Sequence, residues 1–207
     1  MDITSAIFLV LILMFSAIVH EVMHGIAADK LGDPTARYAG RLTLNPLPHL
    51  DPFGSVILPL VLVLTGSPVF FAWAKPVPYN PYNLKPGRFS EAIVAGAGPA
   101  VNLLLAIIFG LVIRLGVAPA LSSIFFLIVV INVMLCIFNL IPVPPLDGSK
   151  VLESLLPRSL QYRYARWRST MEMNPLLGMG IVLLFIILLG GAFSSFIYSI
   201  ASAIAAM

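Results

Sequence analysis

Residues 3–25, ITSAIFLVLILMFSAIVHEVMHG, decide how this chain is organised. They join an uncharged apolar run, long enough to cross the hydrocarbon core of a bilayer, to His20, Glu21 and His24 at its end. No lysine or arginine precedes the run and no small-residue cleavage site follows it, so we expect a retained first span rather than a removable signal peptide. The first span therefore carries ionisable groups into the edge of the membrane.

The composition of the whole chain is that of a membrane protein. Of its 207 residues, 59 % are hydrophobic and 10 % are charged, against about 25 % charged in a typical soluble domain. The mean hydropathy of +1.01 leaves too few polar side chains to cover a water-facing surface, which excludes a soluble enzyme and a disordered chain. The net charge of +3 gives no reason to expect nucleic acid as a partner. A single cysteine excludes an internal disulfide framework and a cysteine-based zinc cluster.

Hydropathy predicts an all-α polytopic membrane protein, folded as a single membrane-embedded domain over residues 1–207. About four transmembrane helices are expected, at 3–28, 91–117, 120–141 and 175–206, the last long enough for one tilted helix or two short ones. Prolines and a glycine interrupt the apolar segment 53–74, which we expect to be re-entrant. Residues 37–44 indicate a short β-hairpin or extended segment, and the arginine- and aromatic-rich stretch 147–170 indicates interfacial helices.

The basic residues predict the orientation of these spans. If 53–74 dips in and returns, all of the 12 lysines and arginines except Arg114 fall on one face of the membrane. By the positive-inside rule, that face is the cytosolic one. We therefore expect a multi-pass protein of a cell membrane, of the kind that suits a prokaryotic plasma membrane, with the end of the first span toward the cytosol.

His20-Glu21-Val22-Met23-His24 has the pattern H-E-x-x-H. Residues four apart share one face of a helix, so both imidazoles can bind one metal ion, and the glutamate beside them can act on a water molecule. Nitrogen ligands in this arrangement favour zinc. The motif also places a charge in a membrane helix, where it costs about 3 kcal/mol and marks a functional site. The competing interpretation is a pair of membrane-edge histidines with a glutamate that reaches out to water.

A catalytic zinc ion needs a third protein ligand. Between Asn139 and Gly148, three prolines break a helix and present Asp147 from irregular backbone, which makes it the stronger candidate. His49, the remaining histidine, is more typical of a loop. The spacing alone equally allows Asp147 to cap the helix that begins near Ser149.

Three motifs together resemble the site-2 protease family, which are zinc metalloproteases that cut within the membrane. They are the H-E-x-x-H that ends the first span, Gly96-Ala-Gly-Pro-Ala-Val-Asn102 at the start of a middle span, and Asn139…Leu146-Asp147-Gly148 after the next. The resemblance implies one Zn²⁺ per chain, held by His20, His24 and Asp147, with Glu21 as the catalytic acid–base. It also implies a site on the cytosolic side. The chain has no room for PDZ or CBS modules, so we expect a compact, minimal member.

Asn102 and Asn139 match motif positions in or beside the spans. A buried amide costs several kcal/mol unless it is hydrogen-bonded, so each must have a partner. Either could hold a substrate backbone or stabilise an oxyanion, and either could simply bridge helices. Asn139, which lies eight residues before Asp147, is the better functional candidate, whereas Asn132 matches no motif and is expected to be structural.

The predicted function is that of a zinc-dependent intramembrane endopeptidase, which cleaves peptide bonds in or near transmembrane segments. Its predicted partners are membrane-spanning protein substrates and the lipid bilayer. A divalent-metal transporter is an alternative, but it would need polar residues along a whole path, and 91–141 has few. A non-catalytic membrane scaffold would be indicated by loss of a motif residue, and all are present.

Overall fold

The computed structural model describes residues 3–51 and 75–206, together with residues 54, 57, 61 and 64. The chain divides into two compact units, Met1–Leu84 and Lys85–Met207. Apart from those four isolated positions, the predicted re-entrant segment 53–74 lies outside the described residues. The assignment of 1–207 to a single domain stays a prediction.

The N-terminal unit is built on one long helix, α1 (Ile3–Lys30). The helix ends in a Schellman motif, in which Gly32 adopts φ +106° and the Asp33 N–H donates to the Ala28 carbonyl at 2.9 Å. Pro34 follows, and its ring prevents the helix from continuing. The chain therefore leaves the helix less than two turns after the H-E-x-x-H motif.

Past this turn, the elements that residues 35–51 and 75–84 of the N-terminal unit form are short. A single helical turn, α2 (Thr35–Tyr38), contacts α1, and 3₁₀ turns occupy Leu47–His49 and Pro81–Asn83. The β-hairpin predicted for 37–44 is not confirmed, since no strand occurs among the residues that the structure describes. Asp33 favours the helical turn, because its carboxylate accepts from the Thr35 N–H at 3.2 Å and satisfies a donor at the helix start.

The C-terminal unit contains five helices, which the described part of the chain connects by short turns. They are α3 (Ser90–Arg114), α4 (Ser122–Asn139), α5 (Asp147–Leu155), α6 (Arg158–Met173) and α7 (Pro175–Ala205). Helices α3, α4 and α7 pack together around Ala106, Val129, Val133, Ile197 and Ala201. Gly110 lets α3 approach α7 closely, because a Cβ at this position would lie 2.5 Å from the Ile204 side chain.

Among the residues that the structure describes, four helices are long and apolar enough to cross a membrane: Ile7–Lys30, Ser90–Arg114, Pro119–Asn139 and Leu176–Ala205. They confirm a mostly helical, multi-pass membrane protein. The final stretch forms one continuous helix rather than two. The stretch 147–170 is helical as well, in α5 and α6, and its location at the membrane surface remains a prediction.

Arg168 ties three helices of the C-terminal unit together. Its guanidinium pairs with Glu153 on α5 at 2.6 Å, with Glu172 on its own helix at 2.9 Å and with Glu91 on α3 at 3.4 Å. The Arg168 side chain is only 14 % exposed, and burial tends to lower its pKa, but the three carboxylates raise it further above the ordinary arginine value. The guanidinium is therefore charged, and it fixes α6 against α3 and α5.

Candidate metal centre

The two histidines of the H-E-x-x-H motif lie one turn apart on α1. Their ring centroids are 4.7 Å apart, the ring planes meet at 86°, and the side chains are only 6 % and 8 % exposed. A histidine pair separated by one helical turn has the spacing that a shared metal ion needs. The imidazole nitrogens are ligands that zinc prefers, so this part of the predicted donor set fits a zinc ion.

Glu21 lies between the two histidines in sequence and is half-buried. Its Oε2 atom accepts a hydrogen bond of 2.8 Å from the backbone N–H of Val77, which is far away in sequence but belongs to the same unit. One oxygen of the carboxylate is thus held by the protein.

Val77 belongs to residues 75–80, a segment without helix or strand that we call the strap. Pro76 and Pro78 fix their own φ near about −65° and restrict the residues before them to extended conformations. The buried Arg41 side chain donates to the carbonyl oxygens of Lys75 at 2.7 Å and Pro76 at 3.2 Å. The start of the strap is therefore stiff and tied to the loop after α2.

Asp33 anchors the other end of the strap. Its fully buried carboxylate accepts from the Asn80 N–H at 2.6 Å, the Asn83 side-chain amide at 2.9 Å and both the N–H and hydroxyl of Thr35. Burial raises the pKa of this carboxyl, but the hydrogen bonds from Thr35, Asn83 and Asn80 outweigh it and lower the pKa below the ordinary value. Asp33 is therefore a charged acceptor that joins the end of α1 to the strap.

His49 has structural contacts in the N-terminal unit. Its side chain is 1 % exposed, and ring atom Nε2 lies 2.9 Å from the Thr43 carbonyl oxygen, to which it must donate because a carbonyl only accepts. The His49 carbonyl in turn accepts from the Lys75 N–H at 2.9 Å. These bonds support the interpretation of His49 as a loop histidine that holds the strap.

Asp147 lies in the C-terminal unit, in the first turn of α5, and is half-buried. The N-cap of α5 is Leu146, and no side-chain cap hydrogen bond is made, so the alternative of Asp147 as the N-cap finds no support. Gly148 explains how the carboxylate is placed: a Cβ there would lie 2.2 Å from the Leu140 carbonyl oxygen. Only glycine lets the start of α5 approach the end of α4 so closely.

The two candidate asparagines make contacts within the C-terminal unit. Asn102 on α3 is fully buried and donates to the side-chain oxygen of Asn132 on α4 at 2.8 Å, and Asn132 donates to the Ile128 carbonyl. This bond bridges the helices, as expected for Asn132. Asn139, which is half-buried, donates to the Leu135 carbonyl one turn earlier at 3.0 Å. A role of Asn102 or Asn139 toward substrate stays a prediction.

Comparison with known proteins establishes the family. The chain is 37 % identical over 172 residues to the Bacillus subtilis protein named "Putative zinc metalloprotease YwhC", and the match covers 78 % of this chain and 75 % of that protein. The profile described as Peptidase family M50 matches residues 116–186. The chain belongs to peptidase family M50, the site-2 protease family. It is therefore a metalloprotease by family, as the three motifs predicted.

Two further relatives are less similar to the chain. "Putative zinc metalloprotease Rip2" of Mycolicibacterium smegmatis is 35 % identical over 144 residues, and its namesake in Mycobacterium tuberculosis is 29 % identical over 143 residues. The matches cover 68 % of this chain and 54 % of each relative, so the chain spans about half of their length. No solved structure matches the chain significantly.

The structure shows residues near Glu21 whose role the sequence of this M50 protein did not reveal. The strap and its anchors, Arg41 and Asp33, contact or support Glu21 although they are not adjacent to it in sequence. The available signal was the alternation Lys75-Pro76-Val77-Pro78, which fixes an extended backbone with a single N–H between two prolines. Proline spacing shows that such a segment is stiff, but not what it contacts.

Proposed function

We propose that this chain is a zinc-dependent endopeptidase that cleaves peptide bonds in or near the transmembrane segments of membrane proteins. The observation that carries the proposal is the pair of buried imidazoles on successive turns of an apolar, membrane-length helix, with the Glu21 carboxylate beside them. The relatives' names, which include zinc and metalloprotease, support the choice of metal and reaction. The proposed metal ligands are His20, His24 and Asp147, with one zinc ion per chain.

The residues have distinct proposed roles. When bound, zinc supplies Lewis-acid polarisation of the scissile carbonyl and lowers the pKa of water. Glu21 accepts the proton of the attacking water on a carboxylate oxygen and later delivers that proton to the leaving amine. Asn139, and less directly Asn102, are candidates for holding the substrate backbone or the developing oxyanion.

The substrates and the location follow from the same features. An enzyme whose catalytic groups end a membrane span meets peptide bonds that lie in or next to other spans, so its proposed substrates are membrane-spanning proteins. The bacterial relatives and the distribution of basic residues support a prokaryotic plasma membrane, with the active site toward the cytosol. The transporter alternative gains no support, because the Asn102–Asn132 pair is used to bridge two helices.

The test separates the base from the ligands. Purified protein in detergent is assayed for bound zinc and for cleavage of single-span substrates, which are chosen from a co-expression panel by Glu21-dependent fragments. Glu21→Gln should keep zinc near one per chain while turnover falls by about 10²-fold or more, because glutamine cannot accept the proton. His20→Ala, His24→Ala and Asp147→Ala should lose both activity and zinc.

The outcomes discriminate between assignments. Asp29→Asn, a carboxylate change on α1 outside the proposed site, serves as the matched control and should keep zinc and turnover. Full turnover of Glu21→Gln would refute the proposed mechanism. Full zinc and normal turnover in Asp147→Ala would refute its role as third ligand and make His49 the next candidate.

A further inference from the structure

We infer that the strap, residues 75–80, is a positioning device for the catalytic base, and that the backbone N–H of Val77 is the group that orients the Glu21 carboxylate. The inference rests on the proposed function, since it assumes that Glu21 carries the proton. It is carried by the hydrogen bond of 2.8 Å from the Val77 N–H to Glu21 Oε2. The prolines of the strap, its packing against α1 and its anchoring hydrogen bonds all hold this donor in place.

The local sequence leaves one N–H at this point of the strap. Pro76 and Pro78 have no N–H, so Val77 supplies the only backbone donor between Lys75 and Tyr79. The same prolines restrict the backbone around Val77 to an extended form, which lowers the entropy lost when the bond forms. A carboxylate that reaches residues 76–78 therefore has a single main-chain N–H to accept from.

The packing allows the strap to come close enough to α1. Val77 packs against Gly25, the residue after the second histidine. A Cβ at Gly25 would lie 2.9 Å from Val77 Cγ1 and 2.6 Å from the Leu42 side chain. Real Cβ atoms essentially never approach other atoms so closely, so any larger residue at Gly25 would require the Leu42 and Val77 side chains to shift. The Val77 side chain is only 6 % exposed, so this contact is also an apolar one.

The anchors hold the strap on both sides of Val77. Arg41 holds the two carbonyls that precede Val77, the Lys75 N–H donates to His49, and Asp33 accepts from Asn80 three residues later. A donor held from both sides fixes the carboxylate orientation without reorganising during the reaction. With Oε2 held, Oε1 is the oxygen that takes the proton of the water.

The variant that tests the inference replaces the donor N–H with a proline ring, and a second variant controls for the lost valine side chain. Val77→Pro deletes the N–H and keeps an extended backbone, whereas Val77→Ala keeps the N–H and deletes apolar contact. We expect Val77→Pro to lower kcat by about 10- to 100-fold, the value of a hydrogen bond to a charged group, with KM little changed. Val77→Ala should retain turnover within about threefold, and bound zinc should stay near one per chain in both variants.

A second measurement does not depend on activity or on the folding of the proline variant. In hydrogen–deuterium exchange of the zinc-loaded protein in detergent, deuterium taken up between Pro76 and Pro78 reports the Val77 amide alone. We expect this amide to exchange about 10-fold faster, or more, in Glu21→Ala than in the parent. Glu21→Gln keeps a side-chain carbonyl acceptor and should lie between them.

The results decide the inference separately from the proposed function. A Val77→Pro enzyme with parental kcat and normal zinc overturns the positioning role, and so does equal exchange of the Val77 amide in the parent and Glu21→Ala. If Val77→Pro fails to fold, the exchange comparison alone decides. If Glu21→Gln turns over substrate like the parent, the proposed function fails, whereas the exchange data still establish or refute the Val77–Glu21 bond.

Discussion

Asp33 offers the sharpest test of how the N-terminal unit is held together, through the substitution Asp33→Asn. In the native unit, Oδ1 accepts three hydrogen bonds, from the Thr35 N–H, the Thr35 hydroxyl and the Asn83 amide, and Oδ2 accepts one from the Asn80 N–H. Asparagine has one oxygen and one NH₂ in place of the two oxygens. Whichever way the amide is turned, its NH₂ faces a donor.

The expected loss of unfolding free energy in Asp33→Asn follows from the less harmful orientation of the new side-chain amide. With the amide oxygen toward Thr35 and Asn83, the NH₂ group faces the Asn80 N–H, whose partner oxygen lies at 2.6 Å in the parent. The loss of a charge-assisted bond costs about 1.5–3 kcal/mol, and an unsatisfied buried donor adds about 1–3 kcal/mol. Since such costs are not additive, we expect a loss of about 2–4 kcal/mol in unfolding free energy.

The assay is reversible unfolding of the purified protein in mixed detergent micelles, followed by loss of helical signal. Asp29→Asn is the matched control, because the Asp29 carboxylate, which is 14 % exposed, pairs with Arg37, whose side chain is 63 % exposed. A pair with a solvent-exposed partner contributes about 1 kcal/mol, and within the described residues the Asp29 carboxylate bonds to Arg37 rather than to the strap. Equal effects of the two substitutions would refute the assignment of Asp33 as the anchor of the strap.

The pH dependence of stability provides a second check on Asp33. Its pKa is lowered in the folded protein, so its stabilising contribution is fully present above the ordinary aspartate pKa of about 3.9 and is lost as the pH falls through the lower folded value. The stability difference between the parent and Asp33→Asn should therefore be constant from about pH 5 to 8 and shrink below about pH 4. A difference that is unchanged at acid pH would contradict a charged, hydrogen-bonded Asp33.

Two further predictions concern the C-terminal unit and the membrane topology. Arg168→Met should lower the unfolding free energy by about 2–3 kcal/mol in the same micelle assay, because it leaves the carboxylates of Glu91, Glu153 and Glu172 without their shared cation. The control Arg166→Met changes an exposed arginine and should lower it by less than about 0.5 kcal/mol. Equal losses in the two variants would contradict the shared role of Arg168. With Cys136 replaced by serine, single cysteines at Tyr79 and Ser159 should be labelled from the same face of intact cells, and labelling from opposite faces would show that 53–74 crosses the membrane.

Much of this protein could be predicted from the linear chain because membranes impose simple rules. A span must be an apolar helix of about 20 residues, since backbone polar groups in lipid have no other partners. The four long helices were therefore predictable, with their ends shifted by only a few residues. The H-E-x-x-H motif was equally accessible, because residues four apart share a face of any helix.

The short elements between the spans could not be predicted in the same way. Residues 37–44 contain the tyrosine, threonine and glycine, ahead of a proline, that are typical of a hairpin or extended segment. The Asp33 side chain nevertheless favours a helical turn from Thr35, and no strand occurs among the described residues. A strand needs a partner to satisfy its backbone, and a local pattern does not show whether one exists. The roles of Asn102 and Asn139 stayed open for the same reason, because an amide in a span reveals its partner only when helices pack.

The sequence by itself determined the membrane class, the apolar helices and the identity of the candidate catalytic groups, because these depend on composition and on spacing within one helix. Only the tertiary structure decided that Val77 donates to Glu21, that Arg41 and Asp33 hold the strap, and that Gly148 brings the start of α5 against the end of α4. Those contacts join residues that are distant along the chain or depend on how closely two backbones approach. Side-chain chemistry can be read from a linear order, but the direction in which a backbone N–H points is set by the packing of the whole unit around it.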